Sequence, residues 1–230
     1  MSSIYLIDYY SNNIDSPIHK ISPISKLLFF LLILLSILFS NRVQHLLILI
    51  AIIVSLILIA KLPLLKILKW SLYLAFFASI FAISQIGYGI LPILTFLKAE
   101  SAALLALFIV CTTPYPKIFS MVNKISTTLA STMFLSYRFF FLLIDEVEMK
   151  LKCMKVRGGY SGGIIKKIKN IGSLIGYLLV SSIEKSERIY NALKVRGFRG
   201  RIYSLSESKI GIRDFPLIAV GAIAWLVLLL

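Results

Sequence analysis

Residues 148–159 read EMKLKCMKVRGG and residues 187–198 read ERIYNALKVRGF. The stretches lie 39 residues apart, and Glu148, Lys155, Val156, Arg157 and Gly158 recur as Glu187, Lys194, Val195, Arg196 and Gly197. Ile144, Val147, Leu151 and Met154 fall at helical spacing in the first copy, as do Ile183, Tyr190 and Leu193 in the second. Glu148 with Lys152, and Glu184 with Arg188, are placed to pair across one turn. A glycine directly after the arginine suits the left-handed stop position that a side chain bearing a Cβ resists. Each arginine is therefore expected in the last turn of an amphipathic helix, where the dipole favours a cation and the side chain reaches past the end. Two such tips predict two similar receptors. A basic helix end beside a bilayer also suits anionic lipid head groups, but identity concentrated in K-V-R-G, at a matched distance from a glutamate, favours protein docking.

The surrounding composition places these tips next to a membrane. Of the 230 residues, 59% are hydrophobic, the mean hydropathy is +0.91, and the apolar residues come in blocks, which marks an integral membrane protein. The formal net charge is +15. Residues 117–213 hold 18 of the 25 Lys and Arg and 6 of the 10 Asp and Glu, a local excess of +12. Because this segment adjoins apolar runs, the positive-inside rule accounts for it without nucleic acid. Cys111 lies in an apolar run and Cys153 in the basic segment, so neither a disulfide nor a metal cluster is expected.

In chain order, residues 1–22 read as a cytoplasmic or interfacial segment. Ser22 and Pro23 mark a helix start, and the first span runs to Ser40, with Lys26 expected to snorkel. A tight turn over Asn41–His45 leads to a second span, Leu46–Ala60. Lys61, Pro63, Lys66 and Lys69 form a basic connection to a third span from Trp70 to about Leu91, with Trp70 and Tyr88 at its interfaces. Pro92–Glu100 reads as a short loop, and a fourth span runs from near Ala99 to the TTPYP stretch, where two prolines end it. Residues 23–116 thus carry four transmembrane helices.

Residues 117–213 alternate charged and apolar residues and predict a cytoplasmic domain of three helices, near 117–130, 132–157 and 164–196; Ile125–Ile144 comes closest to a further span. The last of these helices would be roughly 45 Å long, the build of a strut. Its Gly172, Gly176, Ser181 and Ser182 would let another helix approach closely. Residues 214–230 form a fifth span. The fold class expected is an all-α integral membrane protein: about five transmembrane helices plus a cytoplasmic domain of long amphipathic helices inserted between the fourth and fifth. Placing that domain inside puts the amino terminus and the Lys61–Lys69 connection inside as well.

Little in the chain supports catalysis. His19 and His45 each stand alone near a membrane boundary, which fits a boundary residue better than a metal ligand. Within the spans, Glu100 lies at an edge and Gln85 is the only amide, which argues against a channel or carrier working alone. There are no paired carboxylates and no nucleophile with a base. The GGYSGG loop, residues 158–163, lacks the Gly-Lys-Ser/Thr of a phosphate loop. Arg138, in an apolar stretch, reads as snorkelling or paired with a carboxylate such as Asp145.

These features together resemble the transmembrane T component of energy-coupling factor transporters, in its cobalt-type branch, CbiQ. The resemblance is carried by Asp8-Tyr9 with SPIHKISPISKLLFF, by TTPYPKI, by LSYRFFFLLIDEVE and by both arginine motifs, in order along nearly the whole chain. The family motif usually reads Ala-Arg-Gly; here both copies read Val-Arg-Gly. The resemblance implies a non-catalytic subunit in the cell membrane that partners two ABC-type ATPase subunits and a separate substrate-binding membrane subunit. It implies that two long crossing helices insert Arg157 and Arg196 into grooves on the two ATPases, with Lys155, Val156, Gly158, Lys194, Val195 and Gly197 shaping the contacts. ATP would be bound by the partners, and this chain would hold no cofactor or metal of its own. The implied substrate is cobalt or nickel, with a vitamin transporter as the alternative. A membrane enzyme using the basic cytoplasmic surface is the competing reading of another class.

Overall fold

A computed structural model of the chain describes residues 3–14, 16–87, 89–159, 161–202, 211 and 214–229. Every regular element among them is a helix: α1 (Ser3–Asn13), a 3-10 turn at Ile18–Lys20, α2 (Pro23–Phe39), α3 (Val43–Ile59), α4 (Leu64–Ile83), α5 (Leu91–Thr112), α6 (Tyr115–Val122), α7 (Thr127–Val156), α8 (Ile164–Val195) and α9 (Phe215–Leu229). The chain forms two compact units, Met1–Met121 with Ser206–Leu230, and Val122–Leu205.

The first unit is built around α2, α3, α5 and α9. Phe29, Ile33 and Ile37 recur every fourth residue of α2, and Leu46, Leu49, Ile53 and Ile57 line α3. They meet Leu104, Leu105, Phe108 and Cys111 of α5 and Leu217 and Ala224 of α9. Phe29 and Phe108 pack edge to face with ring centres 6.3 Å apart. α9 approaches α2 closely at Gly221, where an added Cβ would lie 3.2 Å from Phe29 and 3.4 Å from Leu32; small residues at such positions let apolar helices pack without a hydrophobic driving force. The outward faces are equally apolar, with Leu27, Leu31, Leu47, Leu58, Phe76 and Phe77 all exposed. Helices that are apolar all round belong in lipid.

α4, α5 and α7 are long and apolar enough to cross a membrane by length and composition, while α2, α3 and the Phe215–Leu226 part of α9 are shorter apolar helices. At 17 residues each, α2 and α3 lie at the short end of what a bilayer requires.

Several expectations need correction. Lys26 does not snorkel: it is 1% exposed, and its Nζ donates to the carbonyl of Thr112 at 2.6 Å. That carbonyl lies at the end of α5, where a helix has orphan acceptors and a negative dipole end. The expected basic connection before the third span is shorter than the lysine spacing suggests, since Lys66 and Lys69 already lie on α4. Lys66 donates to the Tyr10 hydroxyl at 2.8 Å, tying the start of α4 to α1. Pro92–Glu100 is helix, not loop, because Pro92 falls in the first turn of α5, where no backbone donor is needed. The helix expected near 117–130 is broken, since α6 ends at Val122 and Ser126 caps α7 by accepting from the Leu129 amide. Tyr88 lies outside the described residues.

The second unit is an antiparallel helix pair. Contacts run in reverse order along the two elements: Asn170 donates to the Gly159 carbonyl, Lys150 lies over the Tyr177 ring, and Glu146 meets Ser181 and Lys185. Further along, Leu135 and Arg138 share a groove with Ile189 and Leu193, and the Ile202 amide donates to Ser131. No described residue of α8 is buried, so this 32-residue helix is a strut held by one face.

Candidate functional site

The two arginine motifs fold into matching tips. α7 and α8 each end at the residue before the arginine, and Arg157 (φ −77°, ψ 8°) and Arg196 (φ −81°, ψ 9°) occupy nearly identical backbone positions. Gly158 (φ 70°) and Gly197 (φ 79°) then adopt the left-handed conformation, as the sequence predicts. In both, the chain folds back through paired bonds. The Gly158 amide donates to the Lys155 carbonyl and the Gly159 amide to that of Met154; correspondingly, Gly197 donates to Lys194 and Phe198 to Leu193. This closure satisfies carbonyls that the helix end leaves without partners.

The closure turns the motif side chains outward. Lys155, Arg157, Lys194 and Arg196 are exposed, and Val156 and Val195 are 88% and 89% exposed. Exposed valine beside exposed arginine makes a patch with an apolar centre and a forked cation, the pairing that a groove lined with carboxylates and apolar side chains would take. Because the helices run antiparallel, the tips stand at opposite ends of the pair. Arg157 is 11 residues beyond Glu146, and Arg196 is 11 beyond Lys185. At 1.5 Å per residue, 22 residues separate the tips by up to about 33 Å.

Gly172 and Gly176 are exposed, with nothing within 4 Å of an added Cβ, so α8 presents that face open. Arg138 is exposed. It lines a cavity of about 280 Å³ with Leu135, Phe139, Ile189, Tyr190 and Phe198. Glu184 and Arg188 pair across one turn at 3.6 Å.

The two histidines are held as structural groups. His19 Nε2 donates to the Tyr10 carbonyl at 3.1 Å, leaving Nδ1 to accept from the Ser16 hydroxyl at 2.6 Å. Burial pushes its pKa down, as does the neighbouring Lys26 charge, against backbone carbonyls that pull it up. His45 joins Ser40 to the Ala224 carbonyl of α9. Among the described residues, no three His, Cys, Asp or Glu side chains gather where a metal ion could be held.

The family model described as cobalt transport protein, CbiQ, matches residues 15–205. The chain belongs to the CbiQ family. It is 32% identical over 106 residues to the energy-coupling factor transporter transmembrane protein EcfT of Clostridium kluyveri, covering 43% of this chain and 39% of that one. It is 27% identical over 145 residues to an uncharacterized protein of Methanocaldococcus jannaschii, covering 62% of this chain and 50% of that one. The chain thus spans half or less of the length of these curated relatives. The CbiQ match includes both arginine motifs and the whole antiparallel pair, and it stops before Asp214, which accepts from the Ser22 and Gly211 amides and so fastens the start of α9 to the start of α2.

Three features of this CbiQ-family chain escaped the sequence reading. Glu146 accepts from Ser181 at 2.8 Å and pairs with Lys185, joining α7 to α8. Lys150 lies 4.1 Å from the centre of the Tyr177 ring, a cation–π contact. Lys26 is buried against α5. A signal for the first was present, since Glu146 and Lys185 are separated by the repeat offset of 39.

Proposed function

We propose that this CbiQ-family chain is the non-catalytic transmembrane coupling subunit of an energy-coupling factor importer. It takes up ATP-driven motion from two ATPase subunits and passes it to a substrate-binding membrane subunit. The observation that carries this reading is the conformational identity of the two exposed tips at opposite ends of one antiparallel pair. Two like receptors held apart, each gripping one arginine, would drive the pair when they close. Membership of the CbiQ family and the likeness to the Clostridium kluyveri energy-coupling factor transporter protein support the transporter class; the cobalt-type motifs favour cobalt or nickel as cargo, recognised by the partner. ATP belongs to the ATPases, and this chain supplies the docking arginines and the rigid link.

For both tips to meet ATPases on the cytoplasmic side, the pair must lie along the membrane surface and not across it. The charge pattern of α8 supports this. Lys166, Lys167 and Lys169 stand near its start and Glu184, Lys185, Glu187, Arg188 and Lys194 in its last third, too many charges for a span. α7 is joined to it along its length and would lie with it, despite a composition that suffices to cross.

The test is ATP-dependent uptake and ATPase co-purification with Arg157→Ala, Arg196→Ala and the two Arg→Lys variants. Loss of both readouts with normal membrane insertion is expected, and lysine should rescue poorly because it lacks the planar fork. Near-normal uptake in both alanine variants refutes the proposal.

A further inference from the structure

The repeat and the contact between its two copies are related. Glu146 and Lys185 occupy equivalent positions of the 39-residue repeat and pair with each other. The same holds for the surrounding contacts. Lys150 stands four residues after Glu146, as Ile189 does after Lys185, and Arg138 stands eight before Glu146, as Tyr177 does before Lys185. Lys150 meets Tyr177, while Ile189 and Arg138 share the groove on the other side. Exchanging the two copies therefore carries one contact region onto the other, with the Glu146–Lys185 pair at the centre. Both tips then lie eleven residues from that centre.

We propose that the Glu146–Lys185 pair is the pin that fixes the register of α7 against α8, and with it the distance between the two tips. The inference rests on the coupling reading for its functional consequence, but not for its structural one. Apolar contacts between helices tolerate a slip of one turn, which in an antiparallel pair would bring the two tips closer together or move them farther apart by about 5.4 Å. A carboxylate that also accepts from Ser181 fits a single register, in the way one polar residue fixes the alignment of a coiled coil. Glu146 is 7% exposed, and leaving its charge there without Lys185 is unfavourable. Glu146 and Lys185 are positioning residues, since neither lies in a tip.

The test uses the full chain in nanodiscs with Cys111→Ala and Ala192→Cys, spin-labelled at Cys153 and at position 192. Both are exposed, and they occupy equivalent places in the repeat. A narrow distance distribution is expected in this background. Glu146→Lys should broaden it or shift it by about one turn, 5.4 Å, and the swap Glu146→Lys with Lys185→Glu should restore it. In the complex with its ATPases, uptake should fall roughly tenfold or more in the single variant and recover in the swap, with ATPase co-purification retained. An unchanged distribution in Glu146→Lys, or a swap as disordered as the single variant, overturns the pin. Arg157→Ala separates the two ideas: it should abolish uptake with the distance distribution intact. Normal uptake in that variant would refute the coupling reading and leave the pin to be judged by the distances alone.

Discussion

The glycine that closes each tip offers a sharp perturbation, because its cost is set by backbone geometry. Gly197 has φ 79°, and nothing lies within 4 Å of an added Cβ, so Gly197→Val meets no neighbour and suffers only the left-handed penalty. That penalty is about 1–2 kcal/mol, at the upper end for a β-branched residue, and corresponds to roughly a 5–30-fold change in the closed-to-open ratio of the tip. If docking requires the closed tip, apparent affinity for the ATPase falls with the closed fraction, by up to the same factor. Gly197→Asn should lose less, because asparagine enters this region with local hydrogen bonding. Gly158→Val should behave like Gly197→Val and slightly worse, since its Cβ would also displace the Ser161 hydroxyl, 2.9 Å away. The assay is the affinity of purified ATPase for the chain in nanodiscs. Wild-type affinity in Gly197→Val refutes the argument, and equal losses in the Asn and Val variants show that bulk at the interface, not φ, is responsible.

Other consequences concern the membrane unit and the strut. Gly221→Leu should overpack the contact with Phe29 and Leu32 and cost about 1–3 kcal/mol, read as a lowered unfolding temperature in detergent; Gly221→Ala should cost less. His19 has a folded pKa below its ordinary 6.5, so the unfolded chain binds more protons between the two values. Its contribution is therefore complete above about pH 6.5 and is lost as pH falls through the folded value; His19→Asn should flatten that part of a stability-versus-pH curve. Glu184→Gln should change stability by less than about 0.5 kcal/mol, because the pair with Arg188 is exposed; a larger loss in thermal unfolding would show that the pair does more than decorate α8.

The tips were legible because their information is local. An apolar stripe, a last-turn cation and a following glycine determine a helix end within about ten residues, and both copies fold as that pattern dictates. The start of α2 was equally legible from Ser22, Pro23 and the apolar run that follows. Where the sequence misled, distant groups decided the outcome. Lys26 looks like a snorkelling lysine, and only the fold brings the Thr112 carbonyl, 86 residues away, to its Nζ. Asp214 opens the expected fifth span and carries no sign of a partner, yet it accepts from the Ser22 amide across 192 positions. Pro92 has two opposite meanings, helix breaker or first-turn residue, and the structure realises the second. Glu146 and Lys185 look like ordinary charges on amphipathic helices, and the repeat offset becomes informative only once α7 and α8 are seen to run antiparallel.

Docking to two ATPases requires both tips to reach the same side of the membrane, although they stand at opposite ends of an antiparallel pair that includes one helix apolar enough to cross. Sidedness of the two equivalent positions tests it: Cys153, and Ala192→Cys in a background with Cys153→Ser, each probed with a membrane-impermeant maleimide in intact cells and again after permeabilisation. Neither should be labelled until the membrane is opened. Labelling of one from outside while the other stays protected would place the arginines across the bilayer from each other and contradict it.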